Sequence, residues 1–192
     1  KRNDILFTAV YIPSARSLKM SNSGKVDGEL HRIYEFHEVS NGKYANLIRI
    51  ESQLLSVWVS AFTVDKSIRV NSWNDLKNYN VVYYKGRQDV RKELENILPP
   101  NQIFTVVDDK QAFKMLLKNR VDIVISESRA GQNMIKKYDE FKDIIEVKKL
   151  NETKIYSYIN SKHKDLASII ANTIDKMKID GSFQKILKSE KP

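Results

Sequence analysis

The stretch Asp108–Glu127, DDKQAFKMLLKNRVDIVISE, leaves the backbone few choices. Asp108 or Asp109 can accept the first free amides of a helix, and Ala112, Phe113, Leu116 and Leu117 then share one helical face. That face needs a sheet to cover. Asn119 stands where a left-handed residue ends the helix, and Val121-Asp-Ile-Val-Ile is the nearly continuous apolar run of a parallel strand buried on both sides. Glu127 follows just beyond that strand's carboxyl end. Open α/β sheets bind ligands at such ends, so Glu127 is a site candidate, with a solvated loop carboxylate as the alternative.

Composition narrows the class. The chain has 192 residues, 41% hydrophobic and 30% charged, as an ordinary globular chain does. Its longest apolar run, Leu54–Phe62, is interrupted by serines and is too short to span a membrane. The absence of cysteine excludes a disulfide scaffold, thiolate metal sites and a cysteine nucleophile, and leaves the compartment open. A net charge of +9 raises the question of nucleic acid. The lysines are scattered among acids, without a basic block or interleaved aromatics, so no nucleic-acid partner is expected.

Along the chain, Asp4–Ile12 reads as a strand stopped by Pro13, and Ser14–Asn22 as a helix with Gly24 as its left-handed terminator. A short strand follows at Val26–Leu30. Gly24-Lys-Val-Asp27 therefore repeats, between a helix and a strand, the pattern of Asn119-Arg-Val-Asp122, which suggests two lobes of similar build. Strands are expected at Leu47–Ile50 and Leu54–Phe62, a short helix capped by Ser72, a strand at Val81–Tyr84, a helix at Gln88–Leu98 and a strand at Ile103–Val107. With the opening stretch these make β-α-β-α-β, enough for a small parallel sheet. Beyond Glu127 come a helix to about Tyr138, separate strands at Ile144–Val147 and Ile155–Ile159, a long amphipathic helix through Met177 stopped by Asp180-Gly181, and a shorter one capped by Ser182.

Three segments resemble the type II periplasmic solute-binding proteins of bacterial family 3. Ser72–Gly86 is similar to the family's DLKGKKVGVxxG segment, Gln111–Glu127 to eALxxLxxGrvDAvvxD, and Leu166–Ile186 to its closing helices with their DG turn. The resemblance implies an α/β, two-lobe fold with a hinge of two crossover strands, lobe one from 1–70 plus 152–192 and lobe two from 71–151. It implies capture of a small polar, amino-acid-like solute by hinge closure outside the cytoplasm, as the substrate-binding component of an ABC transporter with a membrane permease as partner. The alternative is the extracytoplasmic sensor domain of a membrane receptor. A transmembrane helix encoded after Pro192 would favour sensing, and a signal peptide with a stop there would favour transport.

Carried over residue by residue, the resemblance gives Glu127 the ligand's ammonium, and Gly86 and Arg87 an anionic group through backbone amides. Lobe one departs from the pattern. The family's Thr-x-x-Arg clamp is absent, and Arg32 instead stands as far beyond Asp27 as Glu127 stands beyond Asp122. Arg32 is expected either to hold a ligand carboxylate opposite Glu127, to pair with Glu127, or to be a surface arginine. Glu29, His31, Trp58 and Tyr11 complete the candidate set. Glu127→Gln and Arg32→Ala are expected to abolish ligand binding with little effect on unliganded stability. The chain also begins at what looks like the family's second strand, so lobe one is expected to lack an amino-terminal piece, with a monomer expected unless another chain supplies the missing strand.

Catalytic signatures are missing. The glycines are scattered singly, the histidines lack metal-ligand spacing, and Ser126-Glu127-Ser128 has no flanking glycines. No enzyme activity, cofactor or metal is expected; Asp108-Asp109 reads as a helix cap.

Overall fold

A computed structural model describes Asn3 and residues 5–189. The chain divides into two compact units, one running up to Leu55 and again from Lys154, the other Ser56–Thr153. It passes from one unit to the other twice, within a strand each time.

In the first unit, helix α1 (Ser14–Asn22) leads to strand β1 (Gly28–Ile33), a single helical turn α2 (Phe36–Val39) and strand β2 (Leu47–Arg49). Both β1 and β2 pair antiparallel with the last part of β7 (Ile145–Asn160). Helices α6 (Lys164–Ile179) and α7 (Ser182–Ser189) close the chain. Turn chemistry sets the ends: Gly24, Gly42 and Gly181 have positive φ, as does Asn41. The apolar clusters are small, one around Phe36, Leu47 and Tyr158 and one around Ile50, Ile159 and Ala171. Most of the exposed large apolar side chains also belong to this unit, among them Leu6, Phe7, Val10, Tyr11, Leu30 and Ile179.

The expected strand at Asp4–Ile12 does not form. Asp4 lies outside the described residues, and residues 5–12 belong to no strand. The segment has β-forming composition, but a strand exists only where another strand accepts its amides and carbonyls.

The second unit holds β3 (Leu55–Thr63) from Ser56 on, then β4 (Val81–Tyr84), α3 (Gln88–Ile97), β5 (Ile103–Val106), α4 (Asp109–Leu117), β6 (Ile123–Glu127) and α5 (Ser128–Lys137), before the first part of β7. The strand order is β3-β6-β4-β5, with β4 parallel to β5 and β6, and β3 antiparallel to β6. Period-two alternation sends Val59, Ala61, Val81, Tyr83, Ile123 and Ile125 to one face, under α3, and Phe62, Val82 and Val124 to the other, under α4. Gly131 of α5 lies so close to this core that a Cβ would stand 2.4 Å from the buried Phe62 ring.

The opening stretch folds as its sequence implies. Asp108 caps α4 by accepting the Gln111 amide at 2.8 Å, and Asn119 adopts φ 50°. Ser72 and Asp75 form a reciprocal capping box on the 3-10 helix Trp73–Asn78. One correction concerns β7: the strands expected at Ile144–Val147 and Ile155–Ile159 are one continuous strand of 16 residues. The polar residues between them resemble a loop in sequence, yet exposed strand positions tolerate polar side chains.

Candidate functional site

In the second unit the parallel strands β4, β5 and β6 bring their carboxyl ends together, and the candidate site is built there. After β4 the chain turns at Gly86: the Lys85 amide donates to Val106 O and the Arg87 amide to Tyr84 O, both at 3.0 Å. A Cβ on Gly86 would come within 2.5 Å of the Tyr84 ring, so a larger residue here would have to displace that side chain. Arg87 is the N-cap residue of α3, and no side chain caps this helix. Its positive end is therefore available to an anionic group. The Arg87 amide itself is occupied within the turn.

After β5, Asp108 and Asp109 open α4; Ser126 and Glu127 are the last residues of β6, and α5 follows them directly. Glu127 is the N-cap of α5, accepting the Arg129 amide at 2.8 Å through Oε1 and the Ala130 amide at 2.9 Å through Oε2. Asp109 meets the β6 end from the other side. Burial pushes its carboxyl above the usual carboxylate range, as do the neighbouring charges of Asp108 and Glu127, while Arg87 and Ser126 act in the opposite direction. Arg87, Asp109, Ser126 and Glu127 thus form one electrostatic cluster. Ser126 Oγ is set toward the Asp109 carboxyl, and neither it nor Asp109 Oδ1 has another hydrogen-bond partner among the described residues.

The sign of the pH dependence follows. A folded-state pKa above 3.8 means that the folded protein holds this proton more tightly than the unfolded chain. The associated stability is present at low pH and is lost as pH rises through the folded value. Urea unfolding of wild type and Asp109→Asn as a function of pH is expected to show the variant gaining relative stability from about pH 4 upward. A difference independent of pH would contradict the raised carboxyl.

Next to this cluster, Glu146 of β7 accepts from Ser128 Oγ at 2.6 Å and from Gln132 Nε2 at 2.8 Å. Burial would raise its pKa, but donation from Ser128, Ser60 and Gln132 outweighs burial and holds it low. Trp58, on the outer side of β3, is 38% exposed, with Lys149 Nζ 5.8 Å from its ring.

In the first unit, Glu29 is buried and fully engaged: Oε1 accepts from Ser17 and Ser21, and Oε2 from Arg32. A register shift between Glu29 and Arg32 in the β1–β7 pairing turns both side chains to one side. His31 is exposed on the same strand, and Tyr11 is 99% exposed on the unpaired segment. The twin aspartates anchor their turns differently: Asp27 contacts Lys162 Nζ at 2.9 Å and His163 Nε2 at 2.8 Å, whereas Asp122 accepts the Asn80 amide at 2.7 Å.

The structure therefore joins Gly86, Arg87 and Glu127 at one set of strand ends, and Glu29 with Arg32 in the other unit. It also assigns structural work to Glu127 and Arg32, so stability-neutral substitution is not expected at either. Asp109 is the residue that the sequence reading passed over. Its doubled acid, Asp108-Asp109, was a sufficient signal only for capping, and Asp108 alone provides the cap. Among the described residues no group of three or more His, Cys, Asp or Glu side chains could hold a metal ion, and no helix is long and apolar enough to cross a membrane.

No protein-family model matches the chain. A Shewanella oneidensis protein described as uncharacterized is 31% identical over 183 residues, 93% of this chain and 67% of that protein. This chain belongs to the family of that Shewanella protein. Solved structures supply the fold. AbpA of Streptococcus pneumoniae, an amino acid ABC transporter substrate-binding protein bound to L-arginine, has a TM-score of 0.71 at 17% identity, covering 94% of this chain and 74% of that one. A histidine kinase sensor domain with similarity to periplasmic binding proteins has a TM-score of 0.69 at 13% identity, covering 91% and 74%. The ancestral amino acid-binding protein AncCDT-1, a precursor of cyclohexadienyl dehydratase, has a TM-score of 0.71 at 16% identity, covering 94% and 75%. The fold of this family member is the two-lobe, α/β, type II periplasmic-binding-protein-like fold.

Proposed function

We propose that this family member is a non-catalytic extracytoplasmic binding protein that captures a small polar, amino-acid-like solute, for delivery to a membrane permease. The observation that carries the reading is the cluster of Arg87, Asp109, Ser126 and Glu127 at the carboxyl ends of β4, β5 and β6, beside the uncapped start of α3. Acids and a helix amino terminus side by side suit a ligand with an ammonium and a carboxylate. Glu29, Arg32, His31, Trp58 and Tyr11 remain the further ligand candidates. The division into lobe one, 1–70 plus 152–192, and lobe two, 71–151, is supported by the two compact units, although the first change of unit falls earlier, between Leu55 and Ser56, and the exposed Leu6, Phe7, Val10 and Leu30 support completion of lobe one by a further strand. Protection of residues 5–12 from hydrogen exchange would test that completion.

A thermal-shift screen of amino acids, polyamines, organic acids and short peptides tests the reading. At a hundred-fold excess over Kd a bound ligand stabilises by about 2.7 kcal/mol. Glu127→Gln is expected to lower the unliganded stability by about 0.5–1 kcal/mol through its weaker cap, and to reduce the ligand-induced shift separately. An undiminished shift would remove Glu127 from the site. The sensor-domain neighbour supports a second reading, ligand sensing by a membrane receptor. Osmotic-shock fractionation of producing cells separates the two: release with the periplasm supports transport, and retention in the membrane supports sensing.

A further inference from the structure

We infer that the pocket between α3 and the edge strand β5 binds a small organic carboxylate with an apolar body, an aromatic or branched-chain monocarboxylic acid. None of Arg87, Asp109, Ser126 and Glu127 lines this pocket, so its occupancy stands apart from the ligand-capture reading above.

The sheet ends at β5, and in its parallel register with β4 Val81 stands beside Ile103 and Tyr83 beside Thr105. Side chains of such pairs share a face, here the one under α3. Helix α3 packs Val90 and Leu94 into that core, and beside it the face of β5 is left as a pocket of about 430 Å³, within the size range of small-molecule sites. Helix α4 packs on the opposite face. The floor of the pocket is apolar: Tyr83 and Leu98 are buried, with Ile103 and Pro100 beside them.

The rim is polar and rich in donors. Among the described residues the Lys85 ammonium has no acid partner, and the side chains of Gln88 and Thr105 have no hydrogen-bond partner. Arg91 gives Nε to Glu95 Oε1 at 2.7 Å, which engages the acid of the lining and leaves the terminal nitrogens of the guanidinium free. The Tyr83 hydroxyl also lacks a partner among the described residues. Burial pushes its pKa above the usual phenol range, Arg91 opposes and Glu95 adds to the rise, so at neutral pH it is an O–H donor. A carboxylate is a pure acceptor whose two oxygens take several such donors at once, and an apolar body attached to it covers the floor. A cation would meet Lys85 and Arg91, and a bare inorganic anion would leave the floor exposed to water.

Methyl-detected NMR titration of the whole chain with benzoate, 3-phenylpropionate and 3-methylbutanoate, against acetate, benzamide and benzylammonium, tests this for wild type, Lys85→Gln, Tyr83→Phe, Thr105→Trp and Glu127→Gln. The three larger carboxylates are expected to move the Leu98 and Ile103 methyl signals and to bind about tenfold or more tightly than acetate, benzamide or benzylammonium. Lys85→Gln is expected to lose about tenfold, and Tyr83→Phe about three- to tenfold with unliganded stability unchanged, because the hydroxyl it removes has no protein partner. Thr105 is exposed on an edge strand, where tryptophan is well accommodated, and Thr105→Trp is expected to fill the pocket and abolish the response. Lys85→Gln carries the test if that variant does not fold. Glu127→Gln is expected to bind as wild type does. Leu98 and Ile103 signals that stay fixed at millimolar carboxylate overturn the inference, as does tighter binding of benzamide, benzylammonium or acetate. Binding kept in Lys85→Gln and Thr105→Trp but lost in Glu127→Gln overturns it by placing the carboxylate at the strand ends instead.

Discussion

Phe113→Ala is expected to destabilise the second unit by about 3–5 kcal/mol, the range for truncating a fully buried aromatic ring. Phe113 is 0% exposed, and its ring lies 5.4 Å from that of Phe62 and 5.5 Å from that of Phe141, centroid to centroid. It therefore joins α4, β3 and the turn before β7 in one aromatic cluster. Both tryptophans, Trp58 and Trp73, belong to this unit, so the urea dependence of their fluorescence reports its unfolding directly. A midpoint change equivalent to under about 1 kcal/mol would mean that the cluster collapses around the gap.

Arg32→Ala is expected to destabilise the first unit by about 3 kcal/mol, because it leaves a buried carboxylate without its cation. The Glu29 side chain is 5% exposed and that of Arg32 18%, so water replaces the lost partner poorly. Ser17 and Ser21 continue to serve Oε1 of Glu29, which leaves Oε2 as the orphan. The loss should therefore be coupled to Glu29. In a double-mutant cycle with Glu29→Gln, followed by far-UV circular dichroism in urea, the two substitutions are expected to combine to well below the sum of their separate effects. Additive losses would show that the pair is not the source of the stability. For function this matters in one further way: loss of ligand binding in Arg32→Ala is informative only at a temperature where the variant is folded.

The elements legible in sequence were those whose signals are local. Asp108 as cap, Asn119 as left-handed stop and the apolar face of α4 lie within one short stretch and act on neighbouring backbone atoms. The same holds for the capping box at Ser72 and for Gly181 after α6. Residues 5–12 show the limit of such reasoning, since their composition favours a strand but carries no information about whether a partner is present to pair with. The continuous β7 shows it from the other side: a polar run that looked like a loop stays extended within one strand.

The opening helix and strand, with Glu127 at the end, was therefore specified by sequence alone, down to its cap and its terminating turn. Sequence also placed Glu127, Gly86 and Arg87 at strand ends, because in a β-α-β succession those positions follow from chain order. Tertiary structure decided what each carboxylate does. Stacking β5, β4 and β6 side by side set Asp109, at the start of α4, against Ser126 on β6, whereas the oxygens of Glu127 are taken locally by the first amides of α5. Hydrogen-bond capacity is finite, and which atoms fill it depends on neighbours that only folding brings near. For that reason Asp109, whose carboxyl burial sets apart, could not be distinguished from its capping neighbour until the strands were in place.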